Sequence, residues 1–244
     1  MKRILLILLC IVLCASAVSC RRGTHEGDSE TLPPATDGVE TPSTPDTKVL
    51  VVYFSMPDSN DNSSVEINGE TLGNTQYMAY VIQESTGADI FRIVPTVPYP
   101  TDHDELMEYA QNELTSETPP TFRGRIESFD YYDTVFIGYP NWWADMPRIL
   151  YTFFDTYDFS GKTIITFNTH GGLGFSGTNE TIAALEPDAR VIPGLAISRN
   201  DIQDAEGTIM DWVKALGLYV GHEPAPHETA APDPKEPSAD SPAP

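Results

Sequence analysis

Three stretches of this chain combine residue types that ordinary packing does not call for together. Ser55 opens the first, which closes on Gly73-Asn74-Thr75 ahead of an apolar periodic segment. Hydroxyls, a glycine and the N–H groups of a starting helix make an anion site that needs no basic side chain. No Lys or Arg lies between Lys48 and Arg92, so a phosphate held here is held by dipoles. The same residues would equally serve as a capped helix after a surface loop. The second stretch, Tyr139-Pro140-Asn141-Trp142-Trp143-Ala144-Asp145-Met146-Pro147, sets two of the three tryptophans side by side. A planar ligand stacked on an indole explains one of them, and a hydrophobic plug beneath a loop is the plainer account. Ala144 carries a Cβ, so a peptide there finds φ > 0 less accessible than glycine would. The third stretch, Thr169-His170-Gly171-Gly172-Leu173-Gly174-Phe175-Ser176-Gly177, holds four glycines. They would let backbone N–H groups approach a flat polar edge closely, or simply make a flexible loop.

Other signals carry less. Gly172-x-Gly174-x-x-Gly177 has the form of a dinucleotide fingerprint, but it does not open the first βα unit and no acidic residue ends the next strand. Arg199 follows that strand and leaves a 2′-phosphate contact open. His170-Gly171-Gly172 resembles an esterase oxyanion loop, yet Ser176 lacks the second glycine of a nucleophile elbow. Asp102-His103-Asp104-Glu105 reads as an acidic first helical turn rather than a metal site.

The elements that would position these loops alternate regularly. Val49 to Phe54 is a continuous apolar run, the mark of a strand buried on both faces. Further strands are expected at Ile90 to Val94, Thr134 to Gly138, Thr163 to Phe167, and Arg190 to Ile197, the last interrupted by Pro193. Helices are expected from a cap at Asn74 or Thr75 to Gln83, and from a Thr101/Asp104 capping box to Leu114. Leu106, Tyr109, Ala110 and Leu114 would form the inner face of that second helix. Three more helices are expected over Pro147 to Phe154, Thr178 to Leu185 and Asp201 to Leu216. Strands alternating with helices make the class α/β with a mainly parallel sheet, and ligands bind outside the carboxyl ends of such strands. All three unusual stretches leave those ends.

Gly73-Asn74-Thr75, Tyr139-Pro140-Asn141-Trp142-Trp143 and Thr169-His170-Gly171-Gly172 stand in the order of the flavodoxin family, with Pro98-Tyr99-Pro100 before an acidic helix adding to the likeness. The chain resembles that family over nearly all of Lys48 to Leu216, and its bacterial flavodoxin-like lipoprotein branch most closely. The resemblance implies a flavodoxin-like three-layer sandwich around a five-stranded parallel sheet of order 2-1-3-4-5, with FMN as cofactor. Carried over by position, Ser55, Gly73, Asn74 and Thr75 would hold the phosphate. Tyr139, Pro140, Asn141, Trp142 and Trp143 would flank one side of the isoalloxazine, and Thr169, His170, Gly171 and Gly172 would meet its polar edge. Seventeen residues separate Ser55 from Gly73, and within them Val65 to Leu72 reads as a hairpin around Asn68-Gly69. Thr86-Gly87-Ala88 resembles part of a covalent flavin-attachment motif, but Asp89 replaces the required hydroxyl, so noncovalent FMN is expected.

Composition bounds the partners. The formal net charge is −22, and Lys48 to Gly217 alone carries 9 basic against 25 acidic side chains. Nucleic acid is therefore excluded as a partner, because phosphate backbones need a basic surface. Basic proteins, small neutral molecules and backbone-held anions remain. All three cysteines, Cys10, Cys14 and Cys20, fall in the first twenty residues, so residues 48–217 have no disulfide, thiol nucleophile or Cys-based metal site.

Lys2-Arg3, the apolar Ile4 to Val12 and Ala17-Val18-Ser19-Cys20 read as a lipoprotein signal peptide over residues 1–20, with Cys20 the lipidation site. Residues 21–47 read as an acidic disordered tether, 48–217 as the flavodoxin-like domain, and 218–244 as a disordered Pro-rich acidic tail. The expectation is an exported, membrane-anchored protein that passes electrons through FMN to a redox partner protein or a small electron acceptor. The alternatives are an FMN-dependent NAD(P)H:quinone-type reductase and a cofactor-free binding lipoprotein that retains the fold.

Overall fold

The computed structural model describes residues 47–56, 62–116 and 118–221. Cys20, the signal region, the tether and most of the C-terminal tail lie outside the described residues. Five parallel strands form one sheet: β1 (Val49–Tyr53), β4 (Asp89–Arg92), β7 (Thr134–Pro140), β8 (Thr163–His170) and β9 (Arg190–Ser198). Their order is β4-β1-β7-β8-β9, which in chain order of these five is 2-1-3-4-5.

The period-2 alternation of the strands builds two cores. Leu50, Val52, Val135 and Ile137 face one side of the sheet, where α2 (His103–Glu113), α3 (Arg148–Thr156) and α4 (Thr178–Leu185) supply Leu106, Ile149, Leu150, Phe153 and Ile182. Val51, Tyr53 and Phe136 face the other, against Tyr77, Met78 and Ile82 of α1 (Asn74–Thr86) and Ile209 and Val213 of α5 (Glu206–Ala215). The three inner strands β1, β7 and β8 are buried on both faces, which is why their sequences run nearly unbroken in apolar residues, whereas the edge strands β4 and β9 are only partly buried. The architecture is the flavodoxin-like three-layer α/β sandwich.

Several local expectations are corrected. Gly73, not Asn74 or Thr75, is the N-cap of α1. Asp102 caps α2 in place of Thr101, its carboxylate accepting from the N–H groups of Asp104 and Glu105 at 3.0 Å. Tyr109 and Leu114 are exposed, whereas Glu113 is buried, because α2 seats a face centred on Leu106 and Ala110. Pro147 stands at the N-cap, one residue before α3. β9 continues through Pro193, as an edge strand can, but its pairing with β8 slips there: Pro193 and Gly194 together stand opposite Thr166, between the Ile165–Ile192 and Phe167–Leu195 pairs. The last helix is preceded by a separate 3-10 turn over Ile202–Asp204.

The hairpin between Ser55 and Gly73 is present as β2 (Ser64–Ile67) and β3 (Glu70–Gly73). Asn68 and Gly69 take φ of 54° and 83°, the paired positive values of a two-residue hairpin turn. A second small ladder, β5 (Val94–Pro95) with β6 (Phe122–Arg123), is too short to leave a sequence signal.

Candidate functional site

At the carboxyl ends of the strands lies a cavity of about 320 Å³, within the range of small-molecule and cofactor sites. Ser55, Asn74, Thr75, Pro140, Asn141, Trp142, Trp143, Thr169, His170 and Gly171 all line it, so the three stretches converge on one space. Three further expected residues do not line it. Tyr139 is fully buried and its hydroxyl is paired with Thr178 Oγ1 at 2.7 Å. Gly73 spends its N–H on Gln76 Oε1, and Gly172 donates its own to His170 Nδ1.

The start of α1 is partly filled from within. Asn74 N–H donates to Ser63 O at 2.9 Å, and Gln76 N–H to Ser55 Oγ at 3.3 Å. Two N–H groups of the first turn are thus spent, and nearby hydroxyls join what is left of the expected anion site. Ser55 Oγ accepts from the helix and keeps its own proton for a ligand. Thr75 Oγ1 and Thr169 Oγ1 share one hydrogen bond at 2.8 Å, and whichever donates leaves the other with a proton to give. Asn74 Oδ1 is buried with no partner, which is costly until a ligand donor meets it.

The opposite wall is aromatic. Trp142 packs edge-to-face against Phe54 and Tyr99, with ring centroids 5.5 and 5.3 Å away. Behind Tyr99, Glu113 Oε2 accepts its hydroxyl at 3.2 Å, and burial raises the carboxyl's pKa against the opposing pull of that bond and of Arg148. Trp143 is 44% exposed at the rim, tethered by its Nε1–H to Met107 O. Asn141 clips this loop to the glycine loop, its Nδ2 donating to Gly174 O at 2.7 Å and its N–H to Thr169 O at 2.8 Å.

Ala144 takes φ > 0 despite its Cβ. Trp142 and Asp145 exchange both backbone hydrogen bonds, and the two residues between them, Trp143 and Ala144, take φ of 53° and 63°. The turn is enforced by Asn141 Oδ1, which accepts the Ala144 N–H at 3.1 Å. Left-handed backbone costs an L-residue about 1–2 kcal/mol, and glycine gives back roughly 0.5–1 in unfolded-state freedom. Ala144→Gly is therefore expected to stabilise the protein by about 0.5–1 kcal/mol. A urea midpoint unchanged or lowered by the substitution would contradict this.

The remaining lining residues include Met56, Asn62 and Ser63 beside the hairpin, His103, Leu106 and Met107 of α2, Leu173, and Arg199. The sequence signal for Arg199 was available, because the last strand of a parallel sheet opens at the same edge as the others. Among the described residues no carboxylate lines the cavity, although the chain has 36 acidic residues. His170 is pushed towards its neutral form by burial, Asp201 opposing weakly. With Nδ1 accepting from Gly172, its proton is left on Nε2. Among the described residues no cluster of three metal-ligating side chains occurs, and no helix is long and apolar enough to cross a membrane.

A hydroxyl-lined corner facing an indole wall suits a ligand with a polar end and a flat apolar end. Curated proteins give no match to the chain. Among solved structures, a candidate flavoprotein from Bacteroides eggerthii is 27% identical, with a TM-score of 0.56 over 70% of this chain and 98% of that one. A second, from Bacteroides uniformis, is 26% identical with a TM-score of 0.55, over 69% and 98% of the two chains. A family model described as flavodoxin matches residues 48–216, which spans the whole sheet and every loop that lines the cavity. The chain therefore belongs to the flavodoxin family.

Proposed function

We propose that the chain binds one FMN noncovalently in this cavity and carries electrons through it, anchored at an extracytoplasmic membrane face by acylated Cys20. The observation that carries the reading is the polarised cavity itself, with hydroxyl donors at the start of α1 and paired tryptophans opposite. The residues suit each part of the cofactor. Ser55 and whichever of Thr75 and Thr169 accepts in their shared bond offer hydroxyl protons to a phosphate, Asn74 Oδ1 offers an acceptor to a hydroxylated chain, and Trp142 and Trp143 offer faces to a flat ring. Bound FMN supplies one- and two-electron redox chemistry; the protein orients it, excludes water from one side and sets the charge around it.

A carrier role is supported by the acidic surface. Net −16 over residues 48–217 favours encounter with a basic redox partner by electrostatic steering. Stepwise reduction of the flavin-loaded protein should resolve two one-electron steps, and its reaction with a basic partner should slow as salt rises. Rapid steady-state oxidation of NADH or NADPH with a quinone, in a single two-electron step, would establish a reductase instead. For the anchor, mass spectrometry should find acylated Cys20 at the mature N-terminus, and Cys20→Ala should release the protein from membranes or block processing. A native N-terminus at Val18 would overturn the anchor and leave the cofactor reading standing.

A further inference from the structure

Among the described residues, Arg199 is the one permanently charged side chain lining the cavity. It sits in a domain where acids outnumber bases 25 to 9, yet among the described residues no carboxylate lies within ion-pair distance of its guanidinium. The group packs beside Gly171, with Cζ 3.7 Å from where a Cβ on that glycine would stand, and the residue is exposed at the rim. A cation with no carboxylate partner, at the mouth of a cavity whose described lining holds no carboxylate, marks a place for an anion.

The fold fixes which end of the cavity this is. Arg199 N–H donates to His170 O at 2.9 Å, and Thr169, the preceding residue of β8, meets Thr75 at the start of α1 through the shared 2.8 Å hydrogen bond. Arg199 is thereby strung to the hydroxyl corner. The apolar wall of Leu106, Met107, Trp142 and Trp143 comes from α2 and the β7 loop. The hydroxyls there are neutral donors and His170 is held towards its neutral form, so neither balances a phosphate dianion in a net-negative domain.

We infer that Arg199 recognises the phosphate of bound FMN and makes the site select phosphorylated flavin over riboflavin. This rests on the FMN reading above. The assignment differs from the dipole-only phosphate site expected from the Ser55-to-Thr75 stretch, because the cation arrives from the far edge of the sheet.

The test is a titration of the full chain with FMN and, separately, with riboflavin, by calorimetry or flavin fluorescence. Wild type is expected to prefer FMN. Arg199→Gln is expected to weaken FMN roughly 10- to 100-fold, the scale of one charge-assisted hydrogen bond, and to leave riboflavin within about twofold. Arg199→Lys should recover part of the FMN affinity, and the salt dependence of FMN binding should flatten in Arg199→Gln. Circular dichroism checks that each variant is folded, which the exposure of Arg199 favours. Equal loss of both flavins, or FMN affinity unchanged in Arg199→Gln, would overturn the assignment while leaving FMN binding intact. Retention of neither flavin by wild type would overturn the FMN reading and this assignment with it.

Discussion

Gly194→Ala is expected to lose more than about 3 kcal/mol of stability, the upper end for overpacking, because the obstacle is backbone. A Cβ on Gly194 would fall 1.7 Å from Thr166 O and 2.9 Å from Trp212 Cζ2. The carbonyl belongs to β8, so it moves only if the β8/β9 pairing moves, and this is where the ladder already shifts register between Ile165 and Phe167. Gly138 is a milder case. Its Cβ would meet the Phe167 ring at 2.1 Å, but a ring can tilt where a strand backbone cannot. Urea unfolding should place Gly194→Ala far below wild type and below Gly138→Ala. A near-wild-type midpoint for Gly194→Ala would mean that β9 is not seated on β8 as described.

Trp142→Ala is expected to weaken FMN binding about 10- to 100-fold, the range for one aromatic stacking partner. The indole is held from behind by Phe54 and Tyr99, so the substitution removes both the stacking surface and part of its support. Trp143→Ala provides the contrast. That ring stands at the rim with one hydrogen bond to Met107 O, so its loss should cost less affinity and almost no stability. Flavin titration of the two variants, with denaturation curves for each, separates the roles. Unchanged affinity in Trp142→Ala would remove the aromatic wall from the account.

Much of this was legible in residue order. Strands buried on both faces write themselves as unbroken apolar runs, so β1, β7 and β8 could be read directly, and Asn68-Gly69 declared its hairpin through the turn it demands. The convergence of Ser55, Trp142 and His170 followed from the rule that parallel strands open their carboxyl ends at one edge. What escaped depends on tertiary contacts. Ala144 adopts left-handed backbone because Asn141 Oδ1, three residues earlier, holds its N–H, and Asn141 is itself pinned to Gly174 O at the end of the neighbouring strand. Glu113 is buried rather than Leu114 because Tyr99 offers it a hydroxyl. The N–H groups of Asn74 and Gln76 at the start of α1 are taken by Ser63 O and Ser55 Oγ, and the geometry of an insert is not written in its own residues. Arg199 was visible as a residue, but not as a cation lacking a carboxylate partner.

The central claim is that this chain holds FMN, and equilibrium dialysis of the purified full chain against micromolar FMN tests it most directly. The account predicts that one FMN per chain is retained, with the visible absorbance bands of a flavin, and that denaturation releases it intact. Dialysis that leaves no FMN with the folded protein would contradict the account and favour a binding lipoprotein that keeps the fold without the cofactor.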